Sequence, residues 1–308
     1  MNRCKMTGEV SAPIPKIRYQ LVEEIASKPA GKIYLAHRTH YEIAVKKALL
    51  DFDRERAHAQ AHSLDASLQY ILSLDHPHLV RHLAHSSSLE AIPMQYTIVM
   101  EYCSGGNLHA AAQFHIPAPL IQKWTRQIVD GLAYLHAKKI VHRDLRGNHI
   151  LLSCPDWNTC LMKIGHLGAS ELYVSRETDV GSCERMFPFM PPERILGNDA
   201  NLAADCKTDI WSLGCVVLEM ISGSPRFVRV VDGKQEDLKF GLAVMYYVAT
   251  GGGSPIIPHE LPNELQAFVA YCVKRDPVLR PLAAELFYTN FLTLVNVPQW
   301  PDPRPQRK

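Results

Sequence analysis

Cysteines and histidines can bind metal or take part in redox chemistry when they are suitably spaced, and this chain contains two sets of them to consider. The eight cysteines are scattered, and none forms the C-x-x-C pair that marks zinc and redox sites, so a reduced, intracellular protein is predicted. His58 and His62 lie four residues apart, as zinc-binding histidines can, but no third ligand accompanies them. We therefore interpret both histidines as part of a solvated helix face and assign them no function.

A third candidate is the tetrapeptide His142-Arg143-Asp144-Leu145, which precedes a short apolar run that begins at Ile150. Alone, four residues carry little information. The tetrapeptide gains weight because five companion segments occur along the chain in a set order: Ala44-Val45-Lys46, Met100-Glu101-Tyr102-Cys103, Met190-Pro191-Pro192-Glu193, Asp209-Ile210-Trp211-Ser212-Leu213-Gly214 and Arg280.

The composition bounds the class of protein that carries these segments. The chain has 308 residues, of which 47% are hydrophobic and 21% are charged, as in ordinary globular proteins. A formal net charge of +2 argues against nucleic acid or an anionic membrane as the main partner. Residues 1–18 lack the apolar run of a signal peptide, and no segment reaches the ~18 apolar residues of a membrane span. Secretion and membrane insertion are therefore not expected.

The first third of the chain predicts a small sheet with one helix. Residues 51–74 place leucine and isoleucine on one helical face. Short apolar runs on either side of this segment predict strands at Tyr19–Val22, Lys32–Ala36, Glu42–Lys46, Leu79–Leu83 and Tyr96–Met100.

The remaining two thirds are predicted to be mainly α-helical. A buried stripe at Trp124, Ile128, Leu132 and Leu135 has helical spacing. Residues 1–18 and the proline-rich tail at residues 297–308 are predicted to be irregular. One folded region is left, residues 19–296, with a small lobe near residues 19–102 and a larger lobe near residues 103–296. Further helices in the larger lobe are predicted near residues 207–221, 242–249, 263–273 and 283–291.

The ordered segments resemble the protein kinase family. Within that family, Val99–Leu108 and Asp209–Met220 are most similar to mitogen-activated protein kinase kinase kinases of the MEKK/STE11 type. The resemblance implies a two-lobed α+β fold, with a β-rich small lobe that carries one main helix and a larger helical lobe. It also implies ATP as ligand, a cytoplasmic location, and other protein kinases or cascade scaffold proteins as partners.

The resemblance further implies which residues bind nucleotide. Met100 matches the gatekeeper position, and Glu101 to Cys103 match the hinge against which the adenine lies. Lys46 matches the lysine that contacts phosphate. The apolar side chains that would enclose the adenine are Ile25, Ile33, Ala44 and Leu151.

The catalytic positions are carried over in the same way. Asp144 stands where the family's aspartate accepts the proton of the substrate hydroxyl. Arg146 replaces the lysine that steadies the transferring phosphate, which keeps the charge but changes its geometry.

Four further positions match residues that hold the family's larger lobe together. Glu193 and Arg280 correspond to a buried ion pair, and Asp209 corresponds to the residue that braces the catalytic loop. His142 corresponds to part of an apolar spine. These matches imply that the architecture is retained.

Two departures from the family pattern fall on parts that handle phosphate. The glycine-rich loop keeps only Gly31, and Pro29 removes one of its N–H donors. Ser67 stands where a helix glutamate should pair with Lys46. Asp65 is about 200° away around the helix, so its side chain is expected to point elsewhere.

Two more departures fall on the metal positions, which both hold histidine. His149 stands at the position of the metal-binding asparagine, with Asn148 one residue too early, and His166 replaces the aspartate of the D-F-G motif. Mg²⁺ prefers oxygen ligands, so Mg²⁺ binding is not expected. Zn²⁺ accepts imidazole, but with no cysteine nearby we favour a hydrogen-bonded pair and predict no metal site.

Two function hypotheses follow. The first is a pseudokinase that acts as a scaffold or allosteric regulator in kinase signalling, binds ATP weakly without metal, and transfers phosphate very slowly or not at all. The second is an active serine/threonine kinase with unusual metal handling, which rests on Asp144, Lys46 and Arg146. It predicts autophosphorylation at Ser175, Thr178 or Ser182. Loss of one buried electrostatic element costs about 10²- to 10³-fold in rate, so several losses favour the first hypothesis.

Overall fold

The computed structural model describes residues 17–28, 31–90, 92–167, 186–197, 202–232, 234–239, 241–250 and 253–303. These residues form two compact units. The first unit contains the residues up to Ser73 together with Arg81–Tyr102, and the second contains Leu74–Val80 together with the residues from Cys103 onwards.

The first unit is a five-stranded antiparallel sheet with one helix. The strand order is β1-β2-β3-β5-β4, and every neighbouring pair is antiparallel. The strands are β1 (Gln20–Lys28), β2 (Gly31–Arg38), β3 (Tyr41–Leu49), β4 (His82–Ser88) and β5 (Gln95–Glu101).

The helix of the first unit, α1 (Arg54–Ile71), begins where the sequence supplies a cap. The Asp53 carboxylate accepts a hydrogen bond from the backbone N–H of Arg56, which satisfies one of the helix's first donors. The buried positions Ala57, Ala61, Leu64, Leu68 and Ile71 recur at helical spacing. This stripe fixes the rotation of α1 and therefore the directions of Asp65 and Ser67.

Strand alternation gives the sheet two different faces. Ile43 and Val45 of β3 belong to a buried cluster with Ala36 and Val99, against which Ile17 and Tyr19 pack. The alternate residues of β3 lie on the opposite face and are paired across the ladder: Ala44 with Met100, and Lys46 with Ile33 and Ile98.

The second unit is mainly helical. The helices are α2 (Leu108–Ala111), α3 (Ala118–Ala137), α4 (Pro192–Ile195), α5 (Leu202–Ser222), α6 (Gly241–Ala249), α7 (Asn263–Cys272), α8 (Ala283–Leu286) and α9 (Asn290–Thr293). The predicted stripe of α3 is confirmed, because Trp124, Ile128, Leu132 and Leu135 are all fully buried. Residues 209–218 of α5 are buried on every face, as expected of a helix at the centre of a core.

Two hairpins complete the second unit. Strands β6 (Ile150–Leu152) and β7 (Met162–Ile164) pair next to the catalytic-loop segment, and β8 (Val228–Val231) and β9 (Lys234–Asp237) form a ribbon that the sequence did not predict. The mixed α+β class is confirmed. Within the described ranges, no helix combines the length and apolarity needed to cross a bilayer.

Two element predictions were wrong. The strand expected at Leu79–Leu83 begins only at His82, because Leu79 and Val80 belong to the second unit, where the Val80 N–H donates to the carbonyl of Ile164. The helix expected at residues 283–291 is two short helices, since the backbone becomes extended at Thr289, with ψ 145°.

Candidate functional site

The backbone just before Asp144 is hydrogen-bonded to a buried carboxylate of α5, that of Asp209. Asp209 is fully buried and accepts hydrogen bonds from the backbone N–H groups of His142 and Arg143, both at 2.8 Å. The ring of His136 donates a third at 2.9 Å. We call Asp209 with these three donors the loop brace. The brace holds Arg143 in the left-handed region, with φ 64°.

The electrostatics of the loop brace show why its carboxylate stays ionised. Burial alone would raise the pKa of Asp209, but the hydrogen bond and charge of His136, with the nearby His142, outweigh burial and lower this pKa below its ordinary value. The contribution of the ionised brace to stability is therefore present at neutral pH and lost in strong acid.

A second carboxylate of α5 holds the next turn of the same loop. Glu219 is buried and accepts hydrogen bonds from the backbone N–H of Gly147 and from the ring of His109. A Cβ atom at position 147 would lie 2.4 Å from the Glu219 Oε2 atom. Glycine is therefore required here by close approach, and the short 3₁₀ turn Gly147–His149 follows directly.

The turn brings His149 against Asp144. The Nδ1 atom of His149 lies 2.8 Å from the backbone carbonyl oxygen of Asp144 and 3.3 Å from its carboxylate. Because a carbonyl oxygen only accepts, the Nδ1 atom of His149 donates this bond, and the contact of Arg146 Nε with the same nitrogen, at 3.5 Å, is the longer and weaker of the two. The guanidinium of Arg146 reaches both carboxylate oxygens of Asp144, with Nε 3.2 Å from Oδ1 and a terminal nitrogen 3.4 Å from Oδ2. Arg146 and His149 are both buried.

His166 lies near the same carboxylate oxygen as His149. Its backbone is left-handed, with φ 65°, and its Nδ1 atom lies 3.9 Å from Asp144 Oδ2. The rings of His149 and His166 stack, with centroids 4.0 Å apart and an angle of 5° between their planes. One donor atom from each of Asp144, His149 and His166 lies within 4.8 Å of the other two. We call these three residues the imidazole cluster.

His142 contributes through its ring as well as its backbone. Its Nε2 atom donates to the carbonyl of Gly165, next to His166, and its Nδ1 atom accepts from the backbone N–H of Asp144 at 3.2 Å. One side chain thus ties together the two segments that carry the imidazole cluster.

The nucleotide-binding residues predicted in the first unit share one sheet face. Ile33, Ala44, Lys46 and Met100 are joined by the β2-β3 and β3-β5 pairings, and Lys46 is only 6% exposed. Ile25 lies in β1 at an irregularity of the register and is 40% exposed. The Glu101 carboxylate accepts a hydrogen bond from the backbone N–H of Arg81.

The other two nucleotide-binding predictions lie in the second unit. Cys103 is buried, and Leu151 in β6 forms an isolated bridge with Asn107. Next to this bridge, the backbone N–H of Gly105 donates a hydrogen bond to the carbonyl of Leu152.

Helix α1 carries Ser67 at the position expected to pair with Lys46, and its nearest acid, Asp65, has other partners. Ser67 is half-buried on α1. Asp65 instead faces the sheet at β4 and β5, where its carboxylate accepts from the Tyr96 hydroxyl at 2.5 Å and lies 3.1 Å from the His85 ring. Burial raises the pKa of Tyr96 above its ordinary range and lowers that of His85.

The retained glycine of the phosphate loop is required by its backbone. Gly31 has φ 148°, and a Cβ atom there would lie 2.3 Å from the carbonyl oxygen of Lys47 on β3. Residues 29–30 lie outside the described residues, as do the proposed phosphorylation sites Ser175, Thr178 and Ser182.

An ion pair joins α4 to the segment before α8. Arg280 is 1% exposed, and its guanidinium donates to both carboxylate oxygens of Glu193, at 2.6 and 2.9 Å. Its remaining N–H groups donate to the carbonyls of Lys274, Lys207 and Arg275. This satisfied environment is what a buried charge requires.

Residues 19–292 match the family model of the protein kinase domain. The chain belongs to the protein kinase family. A protein kinase domain in general binds ATP.

The curated relatives of this kinase domain include several mitogen-activated protein kinase kinase kinases. Number 3 of Arabidopsis thaliana is 28% identical over 87% of this chain, and the match covers 41% of that relative. YODA of the same plant is 31% identical over 83% of this chain, and kinase kinase kinase A of Dictyostelium discoideum is 29% identical over 75%. These matches cover 27% and 22% of the two relatives. The resemblance to this subfamily is confirmed.

Sequence reasoning missed several residues whose side chains hold the loop around Asp144 or join α1 to the sheet of the first unit. His136, His109, Glu219, His85 and Tyr96 each bond to a partner distant in sequence. No local motif distinguishes such side chains from ordinary helix and strand residues, so no signal in the sequence could have identified them.

Proposed function

We propose that this kinase domain is a pseudokinase, with phosphate transfer absent or very slow, that acts as a scaffold or allosteric regulator in kinase signalling. The observation that carries the proposal is the imidazole cluster. Its donors are two ring nitrogens and one carboxylate, and the carboxylate already contacts Arg146. This donor set does not fit Mg²⁺, which is a hard cation and binds oxygen ligands in an octahedron.

The charge balance supports the same conclusion. Phosphate transfer depends on positioning and on neutralising the charge of the transferring group. At the family's two metal positions this chain offers imidazole instead of an asparagine and an aspartate, and on α1 it offers Ser67 instead of the glutamate expected to pair with Lys46. Arg146 can still meet phosphate, but without a bound Mg²⁺ it neutralises only part of the charge.

Measurement of phosphate transfer tests the proposal. Purified full chain is incubated with labelled ATP and either Mg²⁺ or Mn²⁺ on a generic protein substrate, with Asp144→Asn as the matched control, because asparagine keeps the size of the side chain. The pseudokinase shows transfer no faster than the control. Robust transfer that Asp144→Asn abolishes would falsify the proposal.

The alternative function is an active serine/threonine kinase with unusual metal handling. The observation that favours it is that Asp144 contacts Arg146 on a loop held in a defined conformation, with Arg143 left-handed. It predicts autophosphorylation, with Ser175, Thr178 and Ser182 as candidate sites. Phosphopeptide mapping after prolonged incubation with ATP separates the two functions, because the pseudokinase accumulates no phosphopeptide.

We also propose weak ATP binding that does not depend on Mg²⁺. The shared sheet face of Ile33, Ala44 and Met100 supports it, because apolar side chains there suit an adenine ring. The melting temperature is measured with ATP, with ATP and Mg²⁺, and with EDTA. A similar small rise in all three is expected, and a rise confined to the Mg²⁺ sample contradicts the proposal.

The proposed partners are other protein kinases or scaffold proteins of a cascade, because the curated relatives are kinase kinase kinases. The chain spans about two fifths or less of the length of the relatives described above.

We also propose a cytoplasmic location for this protein. Six cysteines of the described ranges are free thiols, which suits a reducing compartment.

A further inference from the structure

The chain after α9 contains a short extended segment whose conformation follows from its prolines. Residues 297–303 have the sequence Val-Pro-Gln-Trp-Pro-Asp-Pro and adopt neither helix, strand nor turn. Proline fixes φ at about −65° at positions 298, 301 and 303, and the residue before a proline is restricted to extended backbone, as at positions 297, 300 and 302. These restrictions favour a polyproline II helix, which has three residues per turn. We call residues 297–303 the tail segment.

The exposure of the tail segment repeats with the same period of three. Val297, Trp300 and Pro303 are half-buried, whereas the residues between them are exposed. A polyproline II helix has three edges, so one edge of the tail segment lies against the protein and the other two face solvent. Pro298 and Pro301 lie on one solvent-facing edge, one turn apart. A rise of about 3.1 Å per residue separates them by about 9 Å.

Both ends of the tail segment are tied to the second unit. Before it, the side-chain amide of Gln122 on α3 donates to the carbonyls of Phe291 and Leu294, at 2.6 and 3.0 Å. Near its end, the Asp302 carboxylate lies 3.7 Å from the His115 ring. A segment held in this way has little conformational entropy left to lose when a partner binds.

We propose that the tail segment is a docking site for a protein domain of the SH3 class. Such domains bind Pro-x-x-Pro segments in a groove lined with aromatic side chains, and they exploit the preformed polyproline II helix. Pro298 and Pro301 supply the two prolines at this spacing, on an edge that is exposed. The inference goes beyond the proposed function, because it holds whether or not phosphate is transferred.

The charge of the residues that follow narrows the kind of groove. Residues 304–308, which lie outside the described residues, have the sequence Arg-Pro-Gln-Arg-Lys, with three basic side chains and no acid. Opposite charges across an interface orient the partner and raise the rate of association. We therefore expect acidic residues on the rim of the partner's groove, at the end that receives Pro301.

Titration of the purified full chain with purified SH3 domains tests the docking site. A fixed panel of SH3 domains with acidic groove rims is used, and binding is measured by isothermal titration calorimetry without ATP. We expect at least one domain to bind with one domain per chain. A synthetic Pro-x-x-Pro peptide that occupies the groove should prevent this binding, and rising salt should weaken it.

Three variants locate the binding on the tail segment. Pro298→Ala with Pro301→Ala is expected to weaken binding by about 10-fold or more, since both rings leave the groove. The matched control is Gln299→Ala, at an exposed position between the two prolines, and it should change the affinity by less than about 2-fold. Arg304→Gln with Arg307→Gln should weaken binding and reduce its dependence on salt. Melting temperatures equal to that of the wild type show that the variants are folded.

The proposal is overturned if no SH3 domain of the panel binds the wild-type chain, or if the Pro298→Ala, Pro301→Ala variant binds as the wild type does. A loss for Gln299→Ala as large as that of the double proline variant also overturns it, as does binding to a parallel panel of WW domains alone. Because the titration contains no ATP, a failure of the docking site and a failure of the pseudokinase proposal are distinguishable.

Discussion

The loop brace and the imidazole cluster flank the same few residues but differ in how their charges are matched. In the brace, the Asp209 carboxylate meets three N–H donors at 2.8 to 2.9 Å with no exposure to solvent. In the cluster, one carboxylate contacts an arginine and two stacked imidazoles at 3.2 to 3.9 Å. The backbone of a catalytic loop can therefore be held firmly while the chemistry of its side chains changes.

The largest effect is expected for the ion pair that accompanies the brace. Arg280→Ala leaves the Glu193 carboxylate without its guanidinium and three carbonyls without their donor, so it should lower the free energy of unfolding by about 3 to 5 kcal/mol. Urea denaturation followed by tryptophan fluorescence measures the loss.

The matched control for Arg280 is Arg229→Ala. Arg229 pairs with Glu236 on the exposed β8-β9 ribbon, where both side chains are about half exposed, so its removal should cost about 1 kcal/mol or less. Equal losses for the two variants would show that burial does not decide the value of this pair.

A smaller effect is expected for the brace itself. Asp209→Asn keeps the shape of the side chain but removes the charge from three hydrogen bonds, so it should cost about 1.5 to 3 kcal/mol at pH 7. Because the pKa of Asp209 is lowered in the fold, the stability it contributes is present above the unfolded value of about 3.9 and is lost as the pH falls through the folded value.

The pH dependence supplies the check on the brace. Between about pH 4 and more acidic conditions, the stability of the wild type should fall more steeply than that of Asp209→Asn. Parallel curves would mean that Asp209 is not the group that titrates.

A third effect tests a hydrogen-bonded network within the first unit. Tyr96→Phe removes the hydroxyl that bonds to both Asp65 and His85, so the buried His85 Nδ1 atom loses one hydrogen-bond partner. The free energy of unfolding is expected to fall by about 1 to 3 kcal/mol. Thermal unfolding measures it. Tyr70→Phe on the exposed side of α1 is the control, and a loss as large there would contradict the assignment.

The smallest effect on stability is expected at the imidazole cluster. His149→Asn with His166→Asp replaces two imidazoles with oxygen donors and should change the free energy of unfolding by about 1 kcal/mol, since the brace below is untouched. The same variant should acquire a rise in melting temperature with ATP that requires Mg²⁺. If the variant unfolds as readily as Arg280→Ala, the loop and its chemistry are not separable.

The sequence predicted most of the frame because the frame depends on periodic or short-range signals. The α3 stripe, the helix within residues 51–74 and the first three strands all follow from patterns among neighbouring residues. The split at Thr289 and the strand start at His82 could not, because both depend on which distant segment pairs with the chain at that point.

The candidate site was predictable in its positions but not in its contacts. The motif register identified His149 and His166 as the residues at the metal positions, and we predicted a hydrogen-bonded pair. The structure shows that the two rings stack and that His149 donates to the backbone carbonyl of Asp144. The contact of both histidines with Asp144 could not be read from the sequence, because it depends on the 3₁₀ turn at Gly147 and on the pairing that places His166.

The left-handed backbone of His166 has an evolutionary consequence. Aspartate and asparagine enter this region of φ more readily than most residues, so the position accommodates an acid without rebuilding the loop. Every histidine codon becomes an aspartate or an asparagine codon by a single base change. An oxygen-donating pair at positions 149 and 166 is therefore two point mutations away, on a backbone already shaped to receive it.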